Sequence, residues 1–216
     1  MNLLPPLREL IFFMTTALIL LVIPGPAVIY IVTRSVDQGY KAGLASCGGI
    51  ASGALLQVIA AAFGLSAVLA SSALAYSAVR YAGAAYLVYL GIKKLREQPA
   101  TMARHVRPAS LGHTYGHGLL VELLNPKTAL FFFAFLPQFV DAARGSAVLQ
   151  FLTLGMLFII MGFISDSLWA LTAGTAAGWL QRNPAFLRNQ QYVAGTVYIG
   201  LGFATAAFSS RYSLKQ

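Results

Sequence analysis

Charged residues are scarce in this chain, and their scarcity excludes most soluble folds. Only 10% of the 216 residues are charged, whereas 58% are hydrophobic, and the mean hydropathy is +0.71. A soluble domain of this size does not need so much apolar surface. The composition therefore predicts an integral membrane protein.

Cysteine is nearly absent as well. Cys47 is the only cysteine, so an intrachain disulfide and a cysteine cluster for a metal are excluded. The three histidines have no partners at zinc-like spacing. We therefore predict neither a metal site nor a bound cofactor.

An aromatic-interleaved basic face is also lacking, although the formal net charge is +9. Such a face is what nucleic-acid binding requires. The basic residues are instead concentrated at the ends of apolar runs and in one connector. In a membrane protein this pattern sets the orientation and provides contact with anionic lipid headgroups. We predict contact with anionic lipids and no nucleic-acid partner.

Apolar runs long enough to cross a bilayer fill most of the chain. At about 20 residues a span, the length accommodates about six helices and little else. The runs cover approximately residues 7–32, 43–69, 74–92, 115–140, 147–171 and 193–208. We predict an all-α bundle of six transmembrane helices. It forms a single membrane domain with a first three-helix repeat (1–95), a basic cytoplasmic connector (96–114) and a second three-helix repeat (115–216).

Positive charge is distributed unequally between the two ends of these runs. The first, third and fifth connectors carry most of the Lys and Arg residues, beginning with Arg34 and Lys41. Positive residues favour the cytoplasm, so we predict a multi-pass inner-membrane protein with both termini in the periplasm. Three spans reverse the direction of the chain, so the two repeats must be inverted. Inverted repeats are typical of transporters that alternate access around a midplane site.

Two short breaks interrupt the first and fourth runs. They are Pro24-Gly25-Pro26 and Asn125-Pro126-Lys127. Proline removes a backbone donor, and irregular backbone at membrane depth persists where it is buried in protein or lines a wet cavity. A matched pair of breaks predicts a substrate pathway between the repeats. Proline kinks used only for packing are the alternative.

Few ionisable residues lie deep in the apolar runs: Glu122, Lys127, Asp166 and Arg80. A charge at mid-bilayer costs roughly 2.5–3.5 kcal/mol on insertion scales, so each needs a partner, a neutral state or a functional use. We predict proton coupling by Asp166 and Glu122, and binding of a substrate carboxylate by Lys127. The alternative for Asp166 is a static role as the partner of a helix-end donor or of Arg80, and Lys127 could instead extend to the membrane surface.

Two glycines in the second run, Gly49 and Gly53, have Gly-x-x-x-Gly spacing. Small residues at this spacing allow helices to approach closely in a membrane. We predict that these glycines serve helix packing rather than substrate contact.

Motifs that follow one another along nearly the whole chain form a recognisable pattern. They are Pro24-Gly25-Pro26, Gly39, Gly43, Gly49, Gly53, Gly64-Leu65, residues 83–87, Gly91, residues 123–132, residues 136–139, Asp166, Trp169, Gly200 and Gly202. In this order they resemble the LysE/RhtB superfamily of small bacterial amino-acid exporters. The resemblance implies efflux of amino acids or related small metabolites, commonly coupled to protons. A homodimer is compatible with a bundle of this size.

The chain departs from the family pattern at two positions. Ala54 stands where members often have an aspartate, and Glu122 stands where they often have an asparagine. The first departure argues against a symmetric pair of carboxylates. Glu122 would supply the missing acid from another helix.

Two other functional classes stay open on the sequence alone. An intramembrane enzyme acting on a lipid-linked substrate would need a catalytic cluster at one membrane face, and the acids here lie far apart in the sequence. A membrane scaffold that transports nothing would not need a break in each half. We predict a secondary active exporter and not an enzyme.

Overall fold

The computed structural model describes residues 3–71, 73–96, 109–182, 189, 192–193, 195–203 and 206. Its helices are α1 (Leu7–Val22), α2 (Pro26–Gln38), α3 (Tyr40–Ser71), α4 (Ala73–Arg96), α5 (Leu111–Leu123), α6 (Pro126–Leu130) and α7 (Ala147–Arg182), followed by α8 (195–203). Within these ranges the backbone is helical or irregular and contains no strand. The all-α prediction is confirmed.

The first break bends the chain by 48° between α1 and α2. The backbone N–H that would continue the α1 ladder is missing at Pro24, and α1 ends at Val22. Gly25 is the N-cap of α2 and Pro26 its first residue. Proline is favoured at that position because the first N–H groups of a helix have no intrahelical partner.

The second break bends the chain by 46° between α5 and the segment Pro126–Phe139. Asn125 is the N-cap of α6, and its side chain accepts a hydrogen bond from the Lys127 N–H. Pro126 is again the first helical residue. After α6 the helix widens into a π-helical stretch at Phe131–Phe135 and tightens into a 3-10 turn at Leu136–Phe139. In both breaks, therefore, a proline is the first residue of the helix that follows the bend.

The long helix α3 lies at the centre of the bundle and packs mainly on α5 and α7. Gly49 and Gly53 lie at the contact with α5, where a Cβ on Gly53 would come within 2.7 Å of the Leu119 carbonyl oxygen. Gly118 of α5 reciprocates, because its Cβ would lie 2.7 Å from the Ser46 carbonyl oxygen. The backbones of α3 and α5 are thus in direct contact.

A cluster of phenylalanine rings fills the core beside the second break. Phe131 stacks on Phe158 of α7 at 4.5 Å between ring centroids, and Phe13 of α1 packs on Phe131 at 5.7 Å. All three rings are buried. This apolar layer holds α1, α7 and the π-helical stretch together next to the site.

The predicted boundaries need one correction. The sequence places Arg34 in a connector, but α2 continues to Gln38 and leaves Arg34 buried at 5% exposure, with its guanidinium 5.4 Å from the Tyr30 ring centroid. The helix ends at Gly39, whose φ of 84° favours glycine. The predicted fifth run, 147–171, agrees with the candidate span Ala147–Ala173, and α7 itself continues through the small-residue stretch that follows to Arg182.

The number of spans is only partly established. By length and composition, Tyr40–Gly64 and Ala147–Ala173 can each cross a membrane, and each bent pair can form one further span. The helices α4 and α8 pack on each other, since a Cβ on Gly91 would lie 2.7 Å from the Gly195 carbonyl oxygen. Most of the connector 96–114 and the side chain of Arg80 lie outside the described residues.

Candidate functional site

The two breaks contact each other through Lys127. Its Nζ donates hydrogen bonds to the carbonyl oxygens of Leu20, at 2.8 Å, and Ile23, at 2.9 Å, where α1 ends. Gly25 lies against the same side chain, because a Cβ there would be 3.5 Å from Lys127 Nζ. Lys127, which belongs to the second break, therefore donates hydrogen bonds to the carbonyl groups exposed by the first break.

Glu122 and Asn125 are joined at the second break. Asn125 Nδ2 donates to Glu122 Oε2 at 2.8 Å and to Thr128 Oγ1 at 3.2 Å. The other end of the same amide, Oδ1, accepts the Lys127 backbone N–H at 3.1 Å. One buried amide thus caps α6 and holds the Glu122 carboxylate in place.

Gln57 of α3 donates hydrogen bonds to backbone carbonyl groups at the end of α5, next to the second break. Its Nε2 donates to the carbonyl oxygens of Glu122, at 2.7 Å, and Leu123, at 3.2 Å. The sequence patterns single out neither Gln57 nor Thr128 as a site residue. The signal for Gln57 is an amide in the middle of an otherwise apolar run, which needs a partner in a membrane.

Asp166 of α7 faces the same place from the opposite side. It is 7% exposed, and it lines a cavity together with Glu122, Asn125 and Lys127. Among the residues that the structure describes, none donates a hydrogen bond to the Asp166 carboxylate. The Asp166 carboxylate therefore faces the cavity without a hydrogen bond from the described part of the chain.

The cavity is small and its remaining walls are mostly apolar. Its volume is about 30 Å³, which is room for roughly one or two water molecules. The apolar lining comes from α1, α2, α3 and α7 and includes Leu21, Val28, Ile50, Phe158 and Ile159. In this conformation the cavity does not hold an amino acid, so binding requires it to widen.

The position of Ala54 bears on the departure from the family pattern. Ala54 lines the cavity beside Glu122. The preceding residue, Gly53, touches the stem of Glu122, because a Cβ there would lie 2.9 Å from Glu122 Cβ. Glu122 thus occupies the wall next to Ala54.

The sequence-predicted residues are brought together unequally. Asn125, Lys127, Glu122 and Asp166 line the cavity. Pro24, Gly25, Pro26 and Pro126 form the bends that border it. Gly49 and Gly53 lie at the contact between α3 and α5. In the described part of the chain no group of three or more His, Cys, Asp or Glu residues has an arrangement suited to a metal ion.

Comparison with known proteins gives the chain a family. A profile described as "LysE type translocator" matches residues 18–207. The chain is 28% identical to a homoserine/homoserine lactone efflux protein of Salmonella typhimurium over 196 residues, which cover 90% of this chain and 94% of the relative. It is 28% identical to a leucine efflux protein of Salmonella choleraesuis over 204 residues, covering 92% and 94%. It is also 28% identical to a membrane protein of Pseudomonas aeruginosa over 198 residues, covering 88% and 91%.

No solved structure matches the chain significantly. Two of these relatives are named as efflux proteins, which confirms the prediction of a transporter rather than an enzyme. Since the profile covers almost the whole chain, this protein belongs to the LysE family of translocators.

Proposed function

We propose that this protein exports a small zwitterionic amino acid, or a closely related metabolite, from the cytoplasm in exchange for protons. The observation that carries the proposal is the contact between the two broken spans beside a cavity with two acids and one lysine. The relatives named for homoserine and leucine efflux agree with this substrate class.

The cavity offers each part of an amino acid a matching partner. Lys127 and the first turn of α2, where Ala27 and Val28 border the cavity, provide positive charge for the substrate carboxylate. Leu21, Ile50 and Phe158 provide an apolar wall for the substrate side chain. An acidic side chain would face Glu122 and Asp166, so substrates with a neutral side chain fit best.

Asp166 and Glu122 are the proposed proton carriers. A buried carboxyl is favoured in its neutral form, whereas a nearby cation favours its charged form. Asp166 experiences both influences, because it is buried and interacts electrostatically with Lys127. Glu122 is held by Asn125, so we assign the principal exchange of protons to Asp166 and the supporting role to Glu122.

The proposed architecture is a pair of inverted three-helix repeats. Each half contains a bent span, a long apolar helix and a third helix in the same order: α1–α2, α3 and α4 in the first half, and α5–α6, α7 and α8 in the second half. The similar bends of 48° and 46° support this division. Rocking of one repeat against the other would open the cavity to each side in turn. A homodimer and the contact of connector 96–114 with anionic lipids stay predictions.

The orientation follows the distribution of positive charge, and it places both termini in the periplasm of an inner-membrane protein. Cys47→Ser provides a cysteine-free background in which a single cysteine is added at position 1 or 216. We expect a membrane-impermeant maleimide to label either position in intact spheroplasts. Labelling only after the membrane is broken would contradict this orientation.

Efflux from proteoliposomes tests the proposed function. Vesicles loaded with labelled leucine, homoserine or glutamate are diluted into a more acidic medium, so that protons flow inward. We expect the acid outer medium to accelerate efflux of leucine or homoserine but not of glutamate. Efflux that is equally slow with and without the pH gradient for every amino acid tested would contradict the proposal.

A further inference from the structure

The carbonyl groups that bind Lys127 Nζ lack the backbone donors that an unbroken helix would give them. In an unbroken helix the Leu20 carbonyl would accept a hydrogen bond from the backbone N–H of residue 24, but Pro24 has none. The Ile23 carbonyl is free because the helix bends before Pro26. Both oxygens lie at the C-terminus of α1, where the helix dipole favours a cation. The break thus creates a cation site made of backbone.

We infer that this carbonyl pair is a binding site for a primary ammonium group, which Lys127 occupies in the ligand-free protein and which the ammonium of the exported molecule occupies in its turn. The inference rests on the proposed function and makes Lys127 an internal competitor. A lysine side chain ends in the same chemical group, an ammonium with three N–H donors, that an amino acid carries on its α-carbon.

The size of the cavity supports exchange rather than simultaneous occupancy. With Lys127 in place the cavity measures about 30 Å³, far less than an amino acid needs. The Lys127 side chain is itself buried and lines this cavity. When it withdraws from the carbonyl pair, the volume of a four-carbon stem and its ammonium is added to the space available to a ligand.

Lys127 has other partners once it is displaced. It interacts electrostatically with Glu122 and Asp166, and both acids line the same cavity. The ligand carboxylate is a third partner. Exchange of ammonium groups therefore leaves no buried charge unpaired. The exchange also breaks the contact between α6 and the end of α1. The bend between α1 and α2 is then no longer tied to α6. In the absence of a ligand, Lys127 holds the two bends together and keeps the pathway closed.

Chemical rescue of a Lys127→Ala protein tests this site without any transport assay. The substitution removes the ammonium and three of the four stem carbons, and n-butylammonium supplies an ammonium on a chain one carbon longer than the part removed. We expect saturating n-butylammonium to raise the Tm of Lys127→Ala by about 5 °C in detergent or nanodiscs. Wild type should need at least a tenfold higher n-butylammonium concentration for the same rise in Tm, because Lys127 already occupies the carbonyl pair.

Three controls separate ammonium recognition from general effects. Tetramethylammonium has the charge but no N–H donor, and n-butanol has the chain but no charge, so neither should stabilise the variant. Lys41→Ala removes an exposed lysine and should behave as wild type. Where Lys127→Ala does not yield folded protein, Lys127→Met retains an apolar stem, and methylammonium replaces n-butylammonium as the probe. Absence of ammonium-dependent stabilisation in both variants would overturn the inference.

Competition in wild type tests the exchange itself. Leucinamide has an ammonium but no carboxylate, and 4-methylpentanamide has neither. We expect leucinamide, but not 4-methylpentanamide, to raise the Tm of wild type and to weaken n-butylammonium binding to Lys127→Ala. A different result would contradict the exchange: n-butylammonium stabilises the variant, but leucinamide neither stabilises wild type nor competes with n-butylammonium. In that case Lys127 stays bound to the carbonyl pair, and the inference fails. Failure of the export proposal would instead appear as absent efflux, whatever these binding results show.

Discussion

Asp166→Asn is expected to abolish efflux driven by a pH gradient while leaving a folded protein. Asparagine has nearly the same size as aspartate, so the packing of α7 is preserved. Its amide cannot take up or release a proton at any accessible pH. The carboxylate faces the cavity and receives no hydrogen bond from the described residues, so the substitution breaks no hydrogen bond within that part of the chain. The cycle should stop only at the step that needs a proton.

The measurement compares two kinds of flux in the same proteoliposomes. Gradient-driven efflux by Asp166→Asn should fall to the level of protein-free vesicles, whereas exchange of labelled for unlabelled substrate should continue. Glu9→Gln changes an exposed acid at the start of α1 and should leave both fluxes unchanged. If Asp166→Asn retains gradient-driven efflux and Glu122→Gln loses it, the roles assigned to the two acids must be reversed.

Gly49→Val is expected to prevent assembly of the bundle. A Cβ on Gly49 would overlap the backbone oxygen of Tyr115 and would lie 2.9 Å from the backbone nitrogen of Leu119. Backbone atoms of a packed helix cannot rotate away as a side chain can. The helices α3 and α5 would have to separate, and the hydrogen bonds from Gln57 to the end of α5 would be lost with them. We expect a cost of more than about 3 kcal/mol, above the usual range for overpacking.

A matched substitution in the same helix provides the control. Gly64 also belongs to α3, but no atom of the described part of the chain lies within 4 Å of a Cβ there. Gly64→Val should therefore give a monodisperse peak in fluorescence-detected size-exclusion chromatography, whereas Gly49→Val should elute as aggregate or be absent. Equal yields of monodisperse protein from the two variants would show that the contact between α3 and α5 does not limit assembly.

The bends could be predicted from the sequence because proline acts locally. Pro24 and Pro126 remove backbone donors whatever surrounds them, and Asn125 is a favoured N-cap. The end of α2 could not be predicted in this way. The charge of Arg34 favours a connector, but no residue before Gly39 stops the helix. Burial of the arginine beside Tyr30 depends on packing, which a single sequence does not reveal.

The partners across the site could not be predicted in the same way. Lys127 and Leu20 are separated by 107 positions, and their hydrogen bond depends on how two bent spans meet. Gln57 is likewise 65 positions from Glu122. Asp166, in contrast, is detectable as an isolated acid in an apolar run. The number of spans and the inversion of the repeats depend on the placement of α4 and α8 relative to the membrane, and they stay predictions.

The contact between the two broken spans is most directly tested by an experimental structure of the ligand-free protein in lipid nanodiscs. The distances to measure join Lys127 Nζ to the carbonyl oxygens of Leu20 and Ile23. Both should be close to the 2.8 and 2.9 Å found here, with Asp166 facing the same cavity. A straight helix through residues 20–30, or a Lys127 side chain directed toward lipid, would contradict the proposed pathway.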